Sequence, residues 1–165
     1  MGALIRSAFH NLPAILLGIA VSAAIVSRGG LFPERLLGWI LLLPIGVTGL
    51  WAGIFHIFFP ATAASFIGWR TSPFQYEVGV ADLAFGAMAC LAFWRGLEFK
   101  AAAVMVSSIA LLGDAIGHIR QMVAAHNFAP GNAGIVFYMD IACPLLAILL
   151  LRIAQGSRRP WPWSR

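Results

Sequence analysis

An all-α integral membrane bundle is predicted by three observations: 61% of the residues are hydrophobic, only 10% are charged, and the apolar residues gather into five long stretches. Soluble domains carry roughly 25% charged residues. With a mean hydropathy of +0.87, the chain has too few charges to cover a water-facing surface, so residues 1–165 read as a single polytopic membrane domain. Walker-type and Rossmann glycine loops are absent, and most soluble enzyme folds are set aside with them.

The five stretches run over residues 11–27, 36–59, 74–94, 101–125 and 133–151. Each of the last four reaches the ~20 residues that a helix rising ~1.5 Å per residue needs to cross ~30 Å of hydrocarbon. The first is short for a span, with Pro13 where a first helical turn tolerates it. Arg6 ahead of it and small residues near Ala23 also fit a cleavable signal segment; a retained helix, with residues 1–10 at the interface, is the preferred reading. Between the second and third stretches lies the longest connection, Pro60 to Pro73. Its segment 61–69 is predicted to form a short helix on the membrane surface, with Trp69 and Tyr76 as interfacial anchors. Pro44 and Pro144 fall inside the second and fifth stretches, and each removes a backbone hydrogen bond. No repeat, low-complexity tract or linker is visible.

The formal charge is +5, from 11 basic and 6 acidic residues, yet the basic residues are scattered, so nucleic acid is not an expected partner. The lipid bilayer is. Lys and Arg accumulate on the cytoplasmic side. Five spans with the C-terminal tail inside place Arg28, Arg35, Arg95, Lys100, Arg152, Arg158, Arg159 and Arg165 there, against Arg6, Arg70 and Arg120 outside. The expectation is a bacterial inner-membrane protein with its N-terminus out and its C-terminus in. Arg158, Arg159 and Arg165, flanking Trp161 and Trp163, suit anionic headgroups or a solvated tail. Cys90 and Cys143 lack CxxC spacing and read as buried thiols.

An ionisable side chain at membrane depth costs several kcal/mol and normally faces a protein interior or a wet cavity. The second helix carries His56, the third Glu77 and Asp82, the fourth Asp114, His118 and Arg120, and the fifth Asp140 beside Tyr138. Alternate helices run in opposite directions, yet all these groups fall in the outer half. By helical rise His56 lies about 5 Å below the outer end, Asp82, His118 and Asp140 about 9 to 12 Å, and Asp114 roughly 15 Å. One shared cluster beneath the outer surface is therefore predicted. Asp114 and His118, four apart, share a helix face. They satisfy each other or bond across to Asp82 or Asp140. Gly113 and Gly117, with Gly49 and Gly53, have the spacing that lets helices approach closely, which predicts a tight crossing of the second and fourth helices.

Function follows less directly. The expectation is that a small ligand or ion binds in this pocket, with Glu77, Asp82, Asp114, His118, Arg120 and Asp140 as ligand-binding or proton-linked groups. A divalent metal would take His56, Asp82, His118 and Asp140, with Asp114 behind them. No HExxH, ExxH or three-histidine pattern accompanies that set. A proton-coupled carrier is an alternative, with His118 titrating near neutral pH, although the inner halves offer no second gate. Another is an accessory subunit of a membrane complex, or a homo-oligomer, whose pocket holds a quinone, a lipid or a partner helix. Arg120 either snorkels outward, pairs with Glu77 or Asp140, or clamps an anion. His126 reads as a loop histidine and His10 as a lid. With no serine or cysteine expected near the cluster, an enzyme of this kind would depend on a metal.

The run SPFQYEVGVADLAFG (residues 72–86), followed by LLGDAIGHIRQM (111–122) and FYMDIACP (137–144), resembles an uncharacterised family of small bacterial and archaeal membrane proteins, a domain of unknown function. The resemblance covers the third to fifth helices. It implies that Glu77, Asp82, Asp114, His118 and Asp140 lie in the family's characteristic stretches, and it supplies no activity. The general layout is also similar to the DoxX-like group of small four-helix membrane proteins, without a specific motif of that group.

Overall fold

The computed structural model describes residues 10–157; Arg6 and the basic, tryptophan-containing tail from Arg158 lie outside the described residues. Helices α1 (Leu12–Val26), α2 (Phe32–Phe58), α3 (Pro60–Ile67), α4 (Phe74–Ala92), α5 (Leu97–Ala125), α6 (Pro130–Ala133) and α7 (Ile135–Gly156) follow one another, and there is no strand among the described residues. The predicted all-α class holds. Three segments are long and apolar enough to cross a membrane: Phe32–Phe58, Leu97–Ala125 and Pro130–Gly156. The other two predicted spans are weaker by that measure. Helix α1 has 15 residues, about 22 Å at the helical rise. The 19 residues of α4 include Gln75, Glu77 and Asp82, which lower its hydropathy.

Two helices begin a turn earlier than their apolar stretches. Helix α2 starts at Phe32 with Pro33 and Glu34 in its first turn, and α5 starts at Leu97 with Glu98 in its first turn. Acidic groups there meet the positive end of the helix dipole, so charges that end an apolar run need not end a helix. At the other extreme α7 continues to Gly156, beyond the predicted 151. Arg35 closes the α1–α2 joint by donating to the carbonyls of Gly29 and Gly30 (3.2 and 2.8 Å) and of Ala24 (3.3 Å).

Pro44 does not break α2. Residues Leu41–Val47 widen into a π-helical turn, a local change that commonly absorbs an interruption of the ladder. The Cys90 thiol then points at the Leu42 carbonyl (3.7 Å).

The tight crossing predicted from the glycines exists, with a different partner. Gly49 and Gly53 of α2 face α4, where a Cβ on Gly49 would lie 3.1 Å from Gly86 Cα, and one on Gly53 would lie 2.7 Å from the Gly79 carbonyl oxygen. On α5, Gly113 and Gly117 have nothing within 4 Å of a built Cβ. They border open space and cross no helix. The spacing finds a close-approach face but not the helix that answers it; Gly79 and Gly86 supplied that answer.

The apolar core sits at one end of the bundle. It is made by Ala20 and Ala24 late in α1, Leu36 to Ile45 early in α2, Phe85 to Ala92 late in α4, Ala103 and Val104 early in α5, and Ala147 to Ala154 late in α7. Alternate helices are thus antiparallel, and their opposite ends are left to surround the polar residues.

Candidate functional site

At that opposite end, the last turns of α2 and α5 meet the first turns of α4 and α7, roofed by α3 and α6. Helix α3 ends at Gly68, whose φ of +72° is the left-handed geometry glycine favours. Asn127 Nδ2 donates to the Ile67 carbonyl there (2.8 Å), tying the roof to the α5–α6 connection.

The centre of this region is Asn132, fully buried. Its amide orientation is over-determined. Trp69 Nε1, which can only donate, points at Oδ1 (3.2 Å), while Nδ2 donates to the carbonyls of His118 (3.2 Å) and Asn127 (2.9 Å). Oδ1 therefore faces His118 Nδ1 at 2.8 Å as an acceptor, and the imidazole must carry a proton on Nδ1. Nε2 is then turned to Asp140 Oδ2, 3.5 Å away. Two lone pairs facing each other would repel, so the imidazole or the carboxyl holds a proton on that side, or a cation lies between them.

His118 and Asp140 border a cavity of about 220 Å³ together with His56, Asp82 and Asp114. The expected cluster thus assembles from four helices. The chain has three aspartates, and all of them line this one cavity, close enough for their charges to act on one another. Among the described residues none of the lining is Lys or Arg. Asp82 is 8% exposed, yet no described side chain or backbone group gives it a hydrogen bond or an ion pair. The three glutamates are placed differently, each in the first turn of a helix.

Two expected members are missing from the cavity. Glu77 and Arg120 are exposed and do not line it. Helical rotation explains both: Glu77 is five residues before Asp82, about 140° around the helix, and Arg120 is two beyond His118, about 200° around. Of the arrangements expected for His118, the contact across to Asp140 is the one that forms, and the pairing with Asp114 gives way, since the two imidazole nitrogens face Asn132 and Asp140.

The metal set does not converge. Among the described residues no group of three or more His, Cys, Asp or Glu side chains is placed to hold a metal ion, and His56 has its Nδ1 on Gln75 Oε1. The expectation that no cysteine lies near the cluster is corrected as well: Cys143, buried and one turn beyond Asp140, lines the same cavity. That i,i+3 spacing was readable in the sequence. Asn132, Gln75 and the hydrogen-bonding role of Trp69 were not, because uncharged polar residues near helix ends carry no distinguishing pattern.

A model built for one family of proteins matches residues 10–160 of this chain. The chain belongs to DUF6790, a family of unknown function. That match takes in every helix described above and agrees with the resemblance drawn from the third to fifth helices. No curated protein and no solved structure matches the chain, and the likeness to the DoxX-like group finds no support.

Proposed function

We propose that this chain is a five-span protein of a bacterial inner membrane, N-terminus out and C-terminus in, that binds a small organic cation of the ammonium class in the aspartate cavity. The excess of basic residues on one side supports the orientation. One observation carries the ligand class: three carboxylates gather in one cavity, with no Lys or Arg among its described lining. Asp82 and Asp140 are buried, Asp140 faces His118, and Asp114 is exposed on the same cavity. Ionising the unpartnered Asp82 beside two further carboxyls is expensive, and a bound cation offsets that cost. The carboxylates line one cavity without converging on a point among the described residues, which favours a cation with several donors over a directly coordinated metal ion. Gly113 and Gly117 leave room beside Asp114.

The test is calorimetric titration of ethylammonium into the protein in lipid nanodiscs, with ethanol and acetate as neutral and anionic counterparts. Ethylammonium should bind saturably and the counterparts should not. In Asp82→Asn a charge-assisted hydrogen bond is lost, worth about 1.5–3 kcal/mol, so affinity should fall roughly 10- to 150-fold. Equal binding of acetate, or full affinity in Asp82→Asn, would overturn the assignment.

A further inference from the structure

A second cavity adjoins the first and differs from it in having no acidic side chain among its described lining. It measures about 490 Å³ and is walled largely by Leu12, Trp51, Phe55, Phe66 and Ile67. His10, whose ring lies 4.8 Å from that of Phe66, reaches it from the start of the described chain. No Asp, Glu, Lys or Arg is among its described lining. Pro13, Thr48, Ala52, His56, Ile67 and Val136 face both cavities, so the charged and apolar spaces share one boundary. On that boundary Thr48 Oγ1 is buried with no hydrogen-bond partner, an uncompensated group of the kind a ligand satisfies.

Size points the same way. Small-molecule sites usually occupy roughly 300–1,000 Å³. The acidic cavity falls below that range and the adjoining apolar one falls within it, so a ligand confined to the aspartates would be small for such a site.

From this juxtaposition we infer that the ligand is an amphipathic amine, its ammonium among Asp82, Asp114 and Asp140 and its hydrocarbon or aromatic part between Trp51, Phe55 and Phe66. The inference rests on the cation-binding reading above. An anionic amphiphile is excluded by the aspartates, and a purely hydrophilic cation leaves the larger cavity without a role.

The experiment compares methylammonium, butylammonium and phenethylammonium by calorimetry in nanodiscs, with the signal of empty nanodiscs subtracted. Each methylene that enters the apolar cavity should raise affinity about fourfold, so butylammonium should exceed methylammonium by roughly thirtyfold or more. Ser65 and Thr62 are exposed residues on the rim of the larger cavity. Ser65→Trp, and independently Thr62→Trp, should fill that space and reduce the gain to about threefold or less, with methylammonium binding unchanged. A wild-type affinity that does not rise with chain length, or a rise that survives in both tryptophan variants, overturns the amphipathic ligand. In that case methylammonium still binds and still depends on Asp82. If methylammonium does not bind, or binds without regard to Asp82→Asn, the cation-binding reading itself has failed.

Discussion

Replacing Asn132 by leucine should be among the most damaging single changes in this protein, lowering stability by about 3–5 kcal/mol. The side chain is fully buried and serves four groups at once. Without it the Trp69 indole N–H and the His118 Nδ1–H lose their acceptor, and each buried donor left unpaired costs about 1–3 kcal/mol. Leucine is close in size, so the loss is of hydrogen bonding and not of volume. Thermal unfolding in detergent should show a melting temperature lower by about 10 °C. The same variant removes the constraint on the imidazole. In wild-type protein labelled with 15N-histidine, the His118 resonances should report a proton on Nδ1; in Asn132→Leu the ring should be free to exchange tautomers. A variant as stable as wild type, with the same His118 signals, would show that this network does not organise the site.

The second large effect concerns the α2–α4 crossing. A Cβ on Gly86 would lie 2.7 Å from the Leu50 backbone nitrogen and 3.0 Å from the Gly46 carbonyl oxygen. Backbone atoms cannot step aside as a flexible side chain does. Gly86→Ala should therefore cost about 1–3 kcal/mol through overpacking, and Gly86→Val more. Gly117→Ala is the matched control: nothing lies within 4 Å of its built Cβ, so it should leave stability unchanged or raise it by up to about 1 kcal/mol, the helix-propensity gain of alanine over glycine. Reversible unfolding of both variants distinguishes the two glycine pairs, which look alike as sequence motifs. Equal damage at both positions would mean that α5 also makes a close crossing through Gly117.

What was legible in the sequence follows the size of the energies involved. Ionisable groups in apolar segments are costly enough that Asp82, Asp114, His118 and Asp140, on three helices, were bound to seek common ground, and the alternation of helix direction brought them to one end. Glu34 and Glu98 misled the boundaries because a charge that is unfavourable in hydrocarbon is favourable at a helix start. Glu77 and Arg120 were placed by depth alone, whereas membership of the cavity also depends on rotation about the helix axis. The partner of Gly49 and Gly53 was hidden for another reason. Small-residue spacing marks a face, and the choice among neighbouring helices is made by the whole packing arrangement. Asn132 lay beyond reach because its importance comes from four partners distant from it in sequence or fixed only by the fold.

The most direct test of cation binding uses the restriction of aspartate to residues 82, 114 and 140. Protein labelled with 13C only at aspartate carries every label in the wall of the cavity. With 15N-ethylammonium bound in lipid bilayers, solid-state recoupling between nitrogen and the aspartate carboxyl carbons should show close contacts, lost when unlabelled ethylammonium is added in excess. Saturable binding with no nitrogen-to-aspartate contact would place the cation elsewhere and contradict the account.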